Sequence, residues 1–411
     1  MRRSLDIFLG EILVGRLSED GQGRASFRIS EDYRRLPRRP ILSQSFEDDL
    51  SKVYRSRRRD ELPAFFANLV PEGPLRELIE ESLQVAPGDQ MALLEAVGED
   101  LPGAVELRPS RGEPDHDGGN GHEEEPVRPD AAAGSGLLRF SLAGVQLKFS
   151  VLRQGDKLTL PVRAERGEWI VKLDSSRFPH VVENEMATLE WARAAGFEVP
   201  ECHLESAEAL APPLQRHAIP ERRVLVIRRY DRDGSRRIHQ EDFAQVTGLP
   251  PQLKYDHVTY EQLARLVKAI AGDEAYFEFV RRLVFVVASG NADAHLKNWS
   301  LLYPDGIEAR LTPLYDQVCT IAWPEVAPEL SLKLASLKSL KQVDERSFRR
   351  LAEIAGSDPV ETLTVLQECL DRIARAWHES PASEVMPKDH VAVLRDYWAS
   401  VPLLKRLPRP G

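Results

Sequence analysis

Residues 109–136 divide this chain in two. Ten of the 28 residues there are Gly or Pro and seven are acidic, with Glu123, Glu124 and Glu125 in a row. No apolar periodicity crosses the stretch. It cannot bury enough apolar surface to offset the entropy of ordering it, so it reads as an acidic, Gly/Pro-rich linker or disordered loop. Whatever folds must fold before it, in residues 1–108, or after it, in residues 137–411. At about 150 residues per domain, 411 residues predict two to three domains. With 42% hydrophobic residues, each side can build a core of its own.

The net charge of -10 argues against a protein that coats nucleic acid by itself. Three cysteines (Cys202, Cys319, Cys369) stand far apart with no CxxC, which excludes a disulfide framework or a zinc knuckle. The longest apolar run, residues 283–288, is far short of a membrane span. No apolar segment follows the basic start at Arg2 and Arg3. The expectation is a soluble, cytoplasmic protein with no membrane partner.

Before the linker, residues 5–16 alternate around Gly10 and predict a hairpin, with a further strand at 27–30. Residues 62–83 predict one helix whose buried stripe is Leu62, Phe65, Phe66, Leu69, Leu75, Leu78 and Ile79. A shorter helix at 91–97 ends at Gly98. After the linker the pattern is strand-rich, with strands at 138–141, 146–152, 169–173 and 223–230 and a helix at 182–195 ended by Gly196. Beyond Tyr260 it turns helical: 260–272, 275–288, and several helices between 344 and 401, interrupted by a short strand pair at 300–302 and 311–314. The fold class expected is α+β and bilobal: a small N-terminal α+β subdomain (1–108), a β-rich part (137–235) and an α-helical lobe (236–411).

One constellation carries chemistry. Asn291-Ala292-Asp293-Ala294-His295-Leu296-Lys297-Asn298 follows an apolar helix, and Asp316 comes 18 residues after Asn298. An Asp, an Asn five residues on, and an Asp at the end of the next strand is the order phosphoryl transfer requires. The first accepts the hydroxyl proton, and the other two hold Mg²⁺ against the phosphates. Lys172 sits mid-strand in the earlier part, where such enzymes place the lysine that neutralises ATP phosphates. Singly, each is as well explained as a cap, a turn former or an exposed strand residue, and His295 as a structural hydrogen-bonder. The combination in this order is what favours a kinase. No Walker A sequence is present, and Gly21 and Gly23 do not continue into GxGxxG. A rival arrangement would use Asp293, His295, Asp316 and His239 as metal ligands for hydrolysis, without any HExxH.

The chain as a whole resembles HipA-type serine/threonine kinases, the toxin half of type II toxin–antitoxin modules. The residues that carry the resemblance are Leu101-Pro102-Gly103-Ala104-Val105-Glu106-Leu107, Phe140-Ser141-Leu142-Ala143-Gly144-Val145-Gln146-Leu147-Lys148, Trp169-Ile170-Val171-Lys172-Leu173 and Asn184-Glu185. Arg229-Tyr230-Asp231-Arg232, His239-Gln240-Glu241-Asp242, Lys254-Tyr255, residues 291–298 and residues 311–316 complete the set.

The resemblance implies roles. Asp293 would be the catalytic base, and Asn298 and Asp316 would bind Mg²⁺. ATP would be held by Ala143, Gly144, Val145, Gln146, Leu147, Lys148, Lys172, Arg228, Arg229, Tyr230, His295, Lys297, Asn298, Tyr315 and Asp316. Ser141 matches the serine that family members autophosphorylate to switch themselves off. It also implies a HipB-type helix-turn-helix antitoxin as partner, contact with operator DNA through that partner, and an aminoacyl-tRNA synthetase as protein substrate, glutamyl-tRNA synthetase first. The competing reading is a catalytically weak co-repressor acting through its DNA-binding partner. A small-molecule kinase is a third.

Overall fold

The computed structural model describes residues 3–82, 84–98, 100–110, 146–160 and 167–410. The expected linker from 111 to 136, the strand at 138–141, Ser141 and residues 143–145 lie outside the described residues.

The N-terminal unit is built on a five-stranded antiparallel sheet in the order β4-β3-β2-β1-β5. Its strands are β1 (Ser4–Leu9), β2 (Ile12–Glu19), β3 (Ala25–Ile29), β4 (Val53–Arg55) and β5 (Val105–Pro109). Gly10, at φ +59°, makes the expected hairpin turn. Pro109, the first residue of the expected linker, ends β5, and Ser110 N–H still bonds Ser4 O at 2.9 Å. Phe27, Phe46, Phe65 and Phe66 interlock on one face of the sheet, at centroid distances of 4.8–5.4 Å.

The helix expected at 62–83 is two helices, Ala64–Ala67 and Gly73–Ser82. Between them Pro71 cannot donate to a helix and Gly73 takes φ +58°, so the chain turns. Leu62, Phe65, Phe66 and Leu69 stay in the N-terminal core. Leu75 and Leu78 instead pack, half-buried, against the core of the second sheet.

That second sheet is also five-stranded, in the order β7-β6-β8-β10-β9. It comprises β6 (Lys148–Gln154), β7 (Lys157–Thr159), β8 (Trp169–Leu173), β9 (Cys202–Ser206) and β10 (Arg223–Arg228). The helix Val181–Ala194 lies between it and the helical lobe. Trp191 on that helix meets Trp377 at 4.8 Å and donates its indole N–H to Ile373 O at 2.8 Å.

The helical lobe is organised around Tyr260–Ser289, which starts at a Thr259/Gln262 capping box. It breaks at Gly272 (φ +85°), close to where the sequence predicts two helices meeting, and ends at Gly290. Helices Glu345–Ala355, Pro359–Glu379 and Lys388–Ser400 pack around it. Strands His239–Asp242, Ser300–Tyr303 and Arg310–Leu311 form a three-stranded sheet against it. The cysteines are free and buried. No helix among the described residues is long and apolar enough to cross a membrane.

Candidate active site

Gly290 is where the site begins. It ends the long helix in the left-handed region (φ +65°), and a Cβ there would lie 2.4 Å from Ile321 Cδ1. Glycine therefore lets the chain leave the helix directly into the Asn291–Asn298 segment. Asn291 Oδ1 accepts from the Asp293 backbone N–H at 2.9 Å, fixing the turn. Asn298 Nδ2 donates to Asp293 O at 3.0 Å, and Tyr255 O–H donates to Asp293 Oδ1 at 2.9 Å. The Asp293 carboxylate is thus oriented, and the amide oxygen of Asn298 is the end of that side chain left for a ligand.

Asp316 follows the short strand Arg310–Leu311 and takes φ +52°. This left-handed conformation, uncommon for a non-glycine residue, aims the side chain at Lys172. Lys172 lies in the middle of β8, 144 residues away in sequence, and its ammonium bonds both Asp316 Oδ1 and Glu185 Oε1, the latter at 2.6 Å. Glu185 is on the first turns of the helix Val181–Ala194 and is fully buried. Lys148 stands opposite Lys172 in the β6–β8 register.

Charge decides the protonation states. Burial works to lower the Lys172 pKa, but Asp316 and then Glu185 outweigh it, so the ammonium stays charged. Burial works to raise that of Asp316, and Lys172 and Lys148 hold it well below the usual carboxylate range. Glu185 is pushed up by burial despite Lys172. His295 is pushed down to about 3 by burial, then by Lys254 and Lys297, so its imidazole is neutral. Neither of its ring nitrogens has a hydrogen-bond partner among the described residues.

Other expected nucleotide contacts are placed as follows. Gln146 Nε2 donates to Leu173 O at 3.1 Å, and Leu147 O accepts from Leu173 N–H at 2.9 Å, so this segment lines β8 beside Lys172. The Tyr230 ring lies 5.9 Å from that of Tyr315, and Tyr315 O–H reaches Lys297 O at 2.9 Å. Arg228 is exposed at the end of β10, near Glu201.

Arg229 is placed with its side chain turned to ion pairs. Its guanidinium is taken up by Asp231, Asp100, Ser150 and Leu101 O, which leaves no side-chain donor for a nucleotide. His239 is also elsewhere: Nε2 pairs with Leu42 O at 2.8 Å and the ring stacks on Tyr303. Among the described residues no group of three or more His, Cys, Asp or Glu could hold a metal ion, so the rival four-ligand site does not assemble.

Three residues join the site without having been assigned a role in it from sequence. Glu185 and Tyr255 lie inside stretches that carry the resemblance, and the pairing of a strand lysine with a helix glutamate is a recurring kinase feature. Glu72, which bonds Lys254 and Lys297, gives no such signal, because it sits in the turn that interrupts an apparent helix.

Residues 5–108 match the HipA N-terminal domain, and residues 140–377 match the HipA-like C-terminal domain. The chain is 37% identical over 381 residues, 91% of each chain, to a Sinorhizobium fredii protein named "Putative kinase Y4dM". It is 25% identical over 367 residues to the serine/threonine-protein kinase toxin HipA of Shewanella oneidensis, covering 80% of this chain and 78% of that one. Its fold is similar to that in the solved complex of Shewanella oneidensis HipA, HipB and operator DNA. The TM-score is 0.74 at 21% identity, over 96% of this chain and 94% of that one. With both domains matched in order and the C-terminal one spanning more than half of its length, this chain belongs to the HipA family of kinase toxins.

Proposed function

We propose that the protein is an ATP- and Mg²⁺-dependent serine/threonine protein kinase. The observation that carries this reading is Lys172 held between Glu185 and Asp316, with Asp293 oriented by Tyr255 on the facing segment. Asp316, kept ionised, and the free amide oxygen of Asn298 fit a hard dication, which would bridge and neutralise ATP phosphates. Lys172 and Lys148 add positive charge where phosphates would lie. Asp293 takes the proton from the attacking hydroxyl, and the Tyr255 hydrogen bond keeps its carboxylate aimed during that transfer.

The relatives and the likeness to a HipA–HipB–DNA complex support a toxin role, with a HipB-type helix-turn-helix antitoxin as partner and operator DNA reached through it. At a net charge of -10, this chain leaves most phosphate contacts to the partner. The substrate proposed is an aminoacyl-tRNA synthetase, glutamyl-tRNA synthetase first, with Ser141 as the self-inactivating phosphorylation site.

The test is incubation with ATP, Mg²⁺ and a panel of purified synthetases, read by intact-protein mass. One synthetase should gain a phosphate, and Asp293→Asn should slow that gain by about 10²–10⁴-fold while still binding ATP. A full panel left unmodified by the parent protein removes the substrate class, and an unimpaired Asp293→Asn removes Asp293 from the base role.

A further inference from the structure

Glu72 belongs to the N-terminal unit, yet its carboxylate lies against the catalytic segment. It occupies the turn that Pro71 and left-handed Gly73 make between the helices Ala64–Ala67 and Gly73–Ser82. Its two oxygens are divided between two lysines of the helical lobe: Oε2 accepts from Lys254 Nζ at 2.7 Å and Oε1 from Lys297 Nζ. Lys297 also donates to Asn68 O of the same unit at 3.1 Å.

Those lysines flank the buried imidazole of His295, which has no hydrogen-bond partner among the described residues, and both act on it electrostatically. Without Glu72, Lys254 and Lys297 would lose the carboxylate that bonds both of them, and Lys297 would be left with the longer-range attraction of the buried Asp242. The consequences reach the reacting groups by short covalent and hydrogen-bonded paths. Leu296 N–H bonds Lys254 O at 3.1 Å, and the residue after Lys254 is Tyr255, whose hydroxyl holds Asp293. Lys297 immediately precedes Asn298. Burial works to raise the Glu72 pKa, but Lys297 and Lys254 hold it near 2, so the anion persists across the working pH range.

We infer that Glu72 is a positioning residue for phosphoryl transfer, supplied by the N-terminal unit, which sets Lys297 directly and Asp293 through Lys254 and Tyr255. This inference rests on the kinase reading above and adds to it. It makes the N-terminal unit part of the catalytic apparatus, through the Glu72 carboxylate with the Asn68 carbonyl beside it. A cavity of about 190 Å³, lined by Ala67, Pro71, Glu72, Gln90 and Lys254 among others, opens beside that carboxylate. It is large enough to admit a small carboxylate in place of a deleted side chain.

The experiment is steady-state kinetics and thermal melting of full-length Glu72→Ala and Glu72→Asp beside the parent protein. Glu72→Ala should lose about 10–100-fold in kcat, the scale of a misplaced reacting group, with a much smaller change in KM for ATP. Millimolar acetate or formate should restore part of that loss, whereas chloride at equal ionic strength should not. Glu72→Asp should keep more of the kcat than Glu72→Ala. A Glu72→Ala protein with the parent's kcat overturns the inference. So does a loss that no carboxylate restores and that follows a lowered melting midpoint, since that is a purely structural role. A parent that transfers no phosphate to any acceptor brings down the kinase reading itself, an outcome distinct from both.

Discussion

Lys172 and its two carboxylates show what the site requires of individual residues. Side-chain exposure is 7% for Lys172, 0% for Glu185 and 29% for Asp316, so one anion is locked in the interior and the other faces the cleft. Glu185 fixes where the ammonium sits, and Asp316 shares it from the more exposed side. Glu185→Gln removes the fixed anion and leaves Lys172 to Asp316 alone. Truncating one partner of a buried pair typically costs about 3–5 kcal/mol. The expected outcome is a loss of about 3 kcal/mol in urea denaturation together with weaker ATP binding. An unchanged denaturation midpoint and ATP affinity would show that Glu185 does not set Lys172.

At the scale of elements, helix ends place the site. Gly290 and Gly356 both cap helices at φ +65°, but a Cβ at Gly290 meets Ile321 at 2.4 Å and 2.6 Å, whereas one at Gly356 meets nothing within 4 Å. Gly356→Ala should cost about 1 kcal/mol, the left-handed strain alone. Gly290→Ala should cost about 1–3 kcal/mol more, since Ile321 must move, and it should also lower kcat by displacing the turn that carries Asp293. Denaturation curves and turnover of the two variants decide this, and equal costs would refute it. The same contrast explains what was legible. The strand Trp169–Leu173 has the ends its sequence predicts, because a run of five with β-branched Ile170 and Val171, set between Glu168 and Asp174, is too short for a helix. The run at 62–83 has helical spacing throughout, yet Pro71 and Gly73 break it, and its second helix then divides: Leu75 and Leu78 pack on the core of the second sheet while Ile79 packs on the N-terminal core. The strands Cys202–Ser206 and Val105–Pro109 carry no strand signal of their own in the sequence, since each is defined by the neighbour it pairs with, Arg223–Arg228 and Ser4–Leu9. In the site, the spacing of Asp293, Asn298 and Asp316 and the place of Lys172 on a strand are visible in the sequence, and the fold brings Lys172 and Asp316 together. Glu72 on the lysines and Arg229 in its ion pairs depend on tertiary contact alone.

At the scale of the whole molecule, two buried polar clusters tie the N-terminal unit to the rest, besides the bonds of Glu72 and Asn68 to Lys254 and Lys297. In one, Arg229, Arg232 and Arg237 bind Asp100, Asp231 and the carbonyls of Leu101, Gly103 and Val105, and Gly103 N–H donates to Asp231 at 2.7 Å. In the other, Glu241 accepts from Ser43 O–H at 2.5 Å, Gln44 N–H at 3.0 Å and Tyr303 O–H at 2.6 Å. Burial pushes Glu241 up to about 7 from an ordinary 4.5, despite those three donors. A folded-state pKa raised in this way adds stability that is fully present below pH 4.5 and is lost as pH rises through 7. Protonated Glu241 remains satisfied, because either hydroxyl can turn from donor to acceptor. His239 and His295, pushed down by burial to about 4 and about 3, act in the opposite direction, losing stability as pH falls below 6.5. The histidines are shared by parent and variant, so Glu241→Gln reports the carboxyl together with its coupling to the neighbouring Asp242, which burial pushes up to about 6. The Gln amide mimics the protonated form of Glu241 at every pH. The stability of the parent minus that of Glu241→Gln should therefore fall by about 2 kcal/mol between pH 5 and pH 8 in urea denaturation. A difference that stays flat over that range would mean that Glu241 titrates normally, and that the N-terminal unit is held by the arginine cluster without a pH-dependent share from Glu241.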